Sequence, residues 1–319
     1  MIERQSIRIV YREGQDKLAK GGIHDAGFDA RALLSFAMGV PFSTLPLHYD
    51  DNVTEDLQKQ YAELIDRRIK GEPLQYIIGE QEFMGLTFHV DPRVLIPRLD
   101  TEILAEEAVA RIQYMLAHRL LMASKDRAPE IEPVRVLDLC CGSGVIGLSA
   151  AKLAADEDTS DHISLILADI DDGALEVAHQ NASSLGISAD FIKSDLFDSI
   201  SGRFDLIVSN PPYVRSDVIP TLDVEVKDHE PMLALDGGAD GLDIYRRIVK
   251  DAPDHLTPGG CLMMEIGYDQ AEDVEELLRK VHDPETGCPC FDGIYVKKDL
   301  AGLDRVVIAL LSGTGQNRS

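Results

Sequence analysis

From Val134 onward the chain alternates short apolar runs with amphipathic helical stretches, and this alternation limits the possible folds more than any other feature. Val134–Leu139, Ile163–Ala168, Ala189–Ile192, Phe204–Val208 and Gly260–Ile266 have strand-like composition. Between the second and third of these, Ala174, Leu175, Ala178, Ala182 and Leu185 recur at helical spacing on one face. Strands separated by helices pair in parallel, with the helices covering both faces of the sheet. The expected fold is therefore α/β, a doubly wound sheet.

The residues before this region have a different texture. Thr54 is placed to cap a helix over 54–70, in which Leu57, Tyr61, Leu64, Arg68 and Ile69 recur and Gly71 follows the end. Residues 30–37 read as a further amphipathic helix, giving a module too small to hold a cofactor fold. Tyr76–Ile78 and Leu86–Val90 are β-rich and separated by Gly79 and Gly85, which predicts a hairpin. Thr101–Leu121 then reads as a long helix. The expected organisation is a helical domain over 1–72, a hairpin linker over 73–95 and the sheet domain over 96–319.

Composition excludes several classes. Hydrophobic residues make up 45% and charged residues 27%, so global disorder is not expected. No apolar run approaches the roughly 18 residues of a membrane helix; the longest is of the kind at Val306–Leu311. Glu3, Arg4, Arg8 and Arg12 leave no room for an apolar signal segment, so a cytoplasmic setting is expected. The net charge is −25, of which −4 falls in residues 1–90 and −21 in 91–319. Neither part carries the basic footprint of a protein that grips a phosphate backbone, so a small molecule or a protein is the better partner. The five cysteines, Cys140, Cys141, Cys261, Cys288 and Cys290, are odd in number and do not form a disulfide or zinc pattern. Cys288 and Cys290 read as surface thiols. The Asn-x-Ser/Thr sites at Asn52, Asn181 and Asn317 carry no weight without secretion.

Residues with chemical potential fall at strand ends, where open α/β sheets bind ligands. Asp138-Leu139-Cys140-Cys141-Gly142-Ser143-Gly144 is a turn that lets backbone approach a ligand, followed by a helix start with free N–H groups. Gly142, Gly144 and Gly147 match G-x-G-x-x-G, and Asp169 ends the next strand where an acid accepts ribose hydroxyls. Together these point to an adenosine-containing cofactor without separating NAD from S-adenosylmethionine.

Asn210-Pro211-Pro212-Tyr213 ends the fourth strand, 72 residues after Asp138. Two prolines alone make only a rigid turn. An amide or exocyclic NH2, however, has its lone pair delocalised and is a poor nucleophile. The Asn210 side-chain oxygen and the Pro211 carbonyl can each accept one of its hydrogens, orient the nitrogen and stabilise charge developing on it. Pro212 stiffens the loop and Tyr213 offers a flat wall. Dehydrogenase chemistry needs no such set, and no catalytic His/Lys/Tyr group accompanies the turn.

These stretches resemble the class I S-adenosylmethionine-dependent methyltransferases, with their Rossmann-like sheet, and more closely the bacterial release-factor glutamine N5-methyltransferases. The likeness extends over residues 71–77, 94–102, 194–197, 204–214, 229–231 and 299–305, nearly the whole length of the chain. It implies methyl transfer from S-adenosylmethionine to the side-chain amide of the glutamine in the Gly-Gly-Gln loop of class I peptide chain release factors. By the same resemblance Cys140, Cys141, Gly142, Ser143 and Gly144 meet the methionine end of the cofactor, and Asp169 its ribose. Asp195 and Leu196 complete the cofactor side, with Leu196 at the adenine. Asn210 touches both cofactor and glutamine; Pro211, Pro212 and Tyr213 frame the glutamine; 98–102 lines the site; and the helical module engages the release factor. Neither a metal nor a covalent enzyme intermediate is implied. Alternatives are a glutamine methyltransferase acting on a ribosomal protein, a nucleic-acid adenine or cytosine amino-methyltransferase, and a binding protein without catalysis.

Four places depart from the family pattern. Cys140 stands where glycine is usual, which requires a negative φ if the turn is to accept it. Leu99 replaces a proline, Leu196 replaces an aromatic of some members, and 282–294 has no assignable feature.

Overall fold

The computed structural model describes residues 5–126, 131–156 and 159–313. Glu3, Arg4, Asn317 and the end of the polar tail lie outside the described residues. The chain divides into two compact units, Met1–Glu80 with Asp223–His229, and Gln81–Leu222 with Glu230–Ser319.

The first unit is helical: α1 (Ile7–Lys20), α2 (Ala26–Met38), α3 (Glu55–Ile69) and α4 (Leu74–Ile78), with a single turn at Val224–Lys227. Thr54 caps α3, its side chain accepting from the Leu57 N–H at 3.2 Å. Tyr61 and Ile65 pack with Ile7, Leu18, Leu33 and Leu34. Gly14 of α1 has no room for a side chain, because a Cβ there would lie 2.1 Å from the Tyr61 hydroxyl. That hydroxyl donates to the Ala30 carbonyl at 3.0 Å. Arg68, on the buried face of α3, meets Asp29 at 2.7 Å and Glu225 at 2.6 Å.

Tyr76–Ile78 is not the strand that its composition predicts. It belongs to α4, opened by Pro73 and closed by Gly79 at φ 85°. Leu74 and Ile77, three residues apart, both join the helical core. A short apolar run is ambiguous by itself, and the flanking proline and glycine make it a helical turn. The hairpin lies one step later, in β1 (Glu80–Phe83) and β2 (Leu86–His89). Its two-residue turn holds Met84 at φ 51° and Gly85 at φ 75°, matching the right-handed twist of paired strands.

The second unit is built on α5 (Glu102–Asp126), β3 (Val134–Leu139), α6 (Val145–Ala154), β4 (Ile163–Asp169), α7 (Asp172–Leu185), β5 (Asp190–Lys193), β6 (Phe204–Ser209), β7 (Leu256–Glu265), β8 (Phe291–Lys298) and β9 (Asp304–Leu311). Strand order is β5-β4-β3-β6-β7-β9-β8. The first five of these strands are parallel, and β9 and β8 are antiparallel additions at one edge. One face of the sheet packs against α5, α6 and α7, through residues such as Leu104, Leu148 and Ala178. The other packs against helices Asp243–His255 and Ala271–Lys280, through Tyr245, Ile248 and Val274. The hairpin joins the first face, with Phe83 and Phe88 edge to face at 6.2 Å. Asn181 of α7 holds the end of β2, accepting from His89 N–H at 2.7 Å and donating to the His89 carbonyl at 3.1 Å. Cys288 is exposed and Cys290 half-buried, and none of the five cysteines forms a disulfide. Among the described residues no helix is long and apolar enough to cross a membrane.

Removing one partner from a buried charge cluster leaves the others desolvated and unpaired. Arg68→Ala is expected to lower stability by about 3–5 kcal/mol in urea unfolding; a loss below about 1 kcal/mol would show that Arg68 behaves as a surface charge.

Candidate active site

Strand order reverses at β3 and β6, whose onward neighbours, β4 and β7, lie on opposite sides. Their carboxyl ends pair Leu139 with Ser209, and the Ser209 hydroxyl donates to the Leu139 carbonyl at 2.7 Å. A cleft opens above this seam. Of the residues expected to form a site, Cys140, Cys141, Gly142, Ser143, Asp169, Asp195, Leu196, Asn210 and Pro212 line it. Gly144, Pro211 and Tyr213 do not. Gly144 begins α6 at φ 79°, where a Cβ would press within 2.9 Å of Leu148, and Pro211 is buried.

The condition under which the turn was expected to accept Cys140, a negative φ, is not met. The φ of Cys140 is 58°, in the left-handed region that favours glycine. The turn must double back to bring the Gly142 N–H to Asp169, and the chain accepts the strain. The Cys140 thiol is hydrogen-bonded to Ser209, the residue preceding Asn210. Burial, then the nearby Asp169 charge, pushes this thiol up, so it stays protonated. Leu196 is a second non-glycine residue held left-handed, at φ 52°. Its carbonyl accepts from the Ser194 hydroxyl at 2.7 Å, and Ser194 Oγ in turn accepts from the Ser199 N–H at 2.9 Å.

The glycines of the turn serve different purposes. Gly142 has open space where a Cβ would stand, and its N–H donates to Asp169 Oδ2 at 2.9 Å. A Cβ on Gly147 would lie 2.9 Å from Asp138 and Leu167, so this glycine lets α6 close onto the sheet. Its N–H donates to Asp138 Oδ2 at 2.8 Å, while Asp138 Oδ1 is buried with no hydrogen-bond partner. Burial pushes the Asp138 carboxyl up to about 8, against the lowering effect of the Gly147 hydrogen bond.

Four aspartates, Asp169, Asp171, Asp195 and Asp236, line the cleft against three arginines. Its cationic side chains are all paired with carboxylates: Arg93 with Asp91, Arg98 with Glu230, and Arg247 with Asp195 at 2.9 Å. Asp169 is held by the N–H groups of Gly142 and Asp171, and its carboxyl is raised by burial despite them. Ile170, Leu196 and Ile244 add apolar wall. Acids that can accept from hydroxyls, beside apolar flanks and with no free cation among the described lining residues, fit the sulfonium, ribose and adenine of S-adenosylmethionine.

Asn210 faces this cleft from the end of β6. Its Nδ2 donates to Thr101 Oγ1 at 3.3 Å. The Tyr213 hydroxyl donates to Glu265 Oε1 at 3.3 Å instead of facing the cleft, and the Tyr213 carbonyl accepts from Gln270 at 3.1 Å. Gly237 packs on this loop so tightly that a Cβ would lie 2.8 Å from the Pro212 carbonyl. Segments far apart in sequence are tied here by charge, Arg98 to Glu230 and Arg305 to Asp100 at 3.0 Å, and Arg305 also meets the nearby Asp299 at 2.9 Å. Glu265 was not among the residues expected from sequence. The available signal was one acid inside the apolar run Leu262–Ile266, and Glu265 is 2% exposed. Burial pushes its carboxyl up to about 7, opposed by hydrogen bonds from Thr101 and Tyr213.

A family model for the PrmC N-terminal domain matches residues 10–79, and one for the Methyltransferase small domain matches residues 116–224. A release factor glutamine methyltransferase of Geobacter sulfurreducens is 39% identical over 304 residues, covering 95% of each chain. The chain belongs to the release factor glutamine methyltransferase family. A second relative of that name, from Agrobacterium fabrum, is 39% identical over 293 residues, 91% of this chain and 92% of its own. Among solved structures, the hMettl16 catalytic domain in complex with MAT2A 3'UTR hairpin 6 superposes with a TM-score of 0.51. It covers 80% of this chain and 83% of its own at 13% identity, a likeness of fold alone. This release factor glutamine methyltransferase family member is an enzyme, and its methyl donor is S-adenosylmethionine.

Two measurements follow from the turn. Cys140→Gly is expected to be more stable than Cys140→Ala by about 1 kcal/mol, since only glycine relieves the left-handed strain; equal thermal stability would contradict this. A carboxyl raised to about 8 in the fold makes the wild type lose stability as pH rises from about 4 through 8. Asp138→Asn removes that titration and keeps an acceptor for Gly147. Its melting temperature relative to wild type should therefore climb between pH 5 and pH 8, and a constant difference would refute the assignment.

Proposed function

We propose that this enzyme methylates the side-chain amide nitrogen, N5, of the glutamine in the Gly-Gly-Gln loop of class I peptide chain release factors. The observation that carries this reading is the orientation of Asn210. With Nδ2 committed to Thr101, Oδ1 of this cleft-lining residue is left as an acceptor. A primary amide has two N–H donors and a weakly nucleophilic nitrogen. Asn210 Oδ1 takes one donor and the Pro211 carbonyl the other, which fixes the nitrogen in place and stabilises the positive charge it gains. The Pro211 ring offers no competing N–H.

Bound S-adenosylmethionine supplies an electrophilic methyl group. Cys140 to Gly144 hold its methionine end, Asp169 accepts from its ribose hydroxyls, and Asp195 with Leu196 borders the adenine. The acidic, cation-paired cleft favours the positively charged donor over its neutral product, which promotes release after transfer. The relatives named for release factor glutamine methylation over nearly their full length support a protein substrate, engaged in part by the helical unit. The net charge of −25 opposes direct nucleic-acid binding.

Incubating the enzyme with S-adenosylmethionine and an unmodified class I release factor, then mapping peptides by mass spectrometry, should show one added methyl on the Gly-Gly-Gln glutamine. Asn210→Ala should lower the rate by about 100-fold or more. An unmodified glutamine, alongside methylation of a ribosomal protein or nucleic acid, would replace the substrate assigned here.

A further inference from the structure

We propose that Glu265 is a positioning residue that sets which way the Asn210 amide points, acting through Thr101. This rests on the reading that Asn210 holds the substrate amide. An asparagine amide is nearly symmetric in shape, so a loop needing Oδ1 toward the substrate must also exclude the flipped form, in which Nδ2 would meet the substrate N–H groups donor to donor. The contact available for this is Asn210 Nδ2 to Thr101 Oγ1. A hydroxyl accepts there only if its own proton is directed elsewhere. Thr101 is 2% exposed and its hydroxyl is hydrogen-bonded to the Glu265 carboxylate. An ionised carboxylate can only accept, so Glu265 draws the Thr101 proton toward itself and leaves Oγ1 to accept from Asn210.

Glu265 Oε2 is buried with no hydrogen-bond partner, and the other contacts of the residue fit this role. The Tyr213 hydroxyl, whose proton burial holds in place, donates to Oε1. The Tyr245 hydroxyl, on helix Asp243–His255, donates to the Glu265 backbone carbonyl at 2.7 Å and anchors the end of β7. Arg305 of β9 favours the charged carboxylate and Asp100 of the turn before α5 opposes it, the two being paired with each other at 3.0 Å. Burial outweighs these contacts and brings the ionisation near neutral pH. Once protonated, Glu265 has a hydrogen of its own to give to Thr101. Thr101 can then donate to Asn210 Oδ1, and the amide turns over.

Glu265→Gln mimics the protonated state at every pH. With release factor as substrate at pH 8, it should lower kcat about 10- to 100-fold and leave S-adenosylmethionine affinity unchanged. Thr101→Val should match it, the double variant should be no worse than either single one, and Thr101→Ser should restore the rate. Wild-type kcat should fall as pH drops through about 7, and this limb should vanish in Glu265→Gln. Thr101→Val leaves β7 untouched and carries the test should the glutamine variant misfold. Independently of any substrate, the Asn210 side-chain amide resonances should titrate near pH 7 in wild type and not in Glu265→Gln. A wild type that leaves the release factor unmethylated would fail the substrate reading alone, and the resonances would still decide the role of Glu265. Resonances that titrate identically in both proteins, or a glutamine variant with wild-type kcat and pH profile, would overturn the proposal.

Discussion

The pairing of Leu139 with Ser209 at the carboxyl ends of β3 and β6 is the contact on which the rest of the site depends. Parallel neighbours bring both chain exits to the same edge, and reversal of strand order there sends the flanking strands apart. The turn after β3 and the loop after β6 are thus left facing each other across open space. Ser209 stitches them together through the Leu139 carbonyl and the Cys140 thiol, immediately before Asn210. Any substrate held by Asn210 therefore lies beside whatever the Cys140–Gly144 turn holds.

Around that seam the fold buries acids. Asp138, next to last in β3, and Glu265, last in β7, lie in the apolar interior, and both keep their protons well above the usual carboxylate range. Such groups are costly to ionise and persist where their geometry is used. Asp138 orders the start of α6 through Gly147, and Glu265 orders the loop after β6 through Thr101 and Tyr213. The left-handed Cys140 and Leu196 are costs of the same kind, both located on the cleft wall.

Much of this was legible in the sequence, because the parallel strands are continuous apolar runs bounded by glycine, aspartate or asparagine. The switch-point residues Asp138, Asp169 and Asn210 follow directly from that pattern, as do α3 with its Thr54 cap and the start of α5, which runs on past the expected Leu121 to Asp126. Tyr76–Ile78 was misread because three apolar residues carry no period, and the deciding signals were Pro73 and Gly79. The β8–β9 pair was missed for a different reason. β8 is an edge strand carrying Asp292, Gly293, Lys297 and Lys298, with two breaks in register, so it lacks a clean alternation. The backbone angle of Cys140 and the network beneath Asn210 were out of reach, since both depend on side chains brought together only by the folded sheet.

The central claim is that the loop after β6 holds a glutamine amide by two acceptors. A crystal structure with S-adenosylhomocysteine and a Gly-Gly-Gln peptide tests it most directly. The account predicts the glutamine nitrogen between Asn210 Oδ1 and the Pro211 carbonyl, within hydrogen-bond distance of both and facing the sulfur. A glutamine bound elsewhere, or one whose carbonyl meets Asn210 Nδ2, would contradict it.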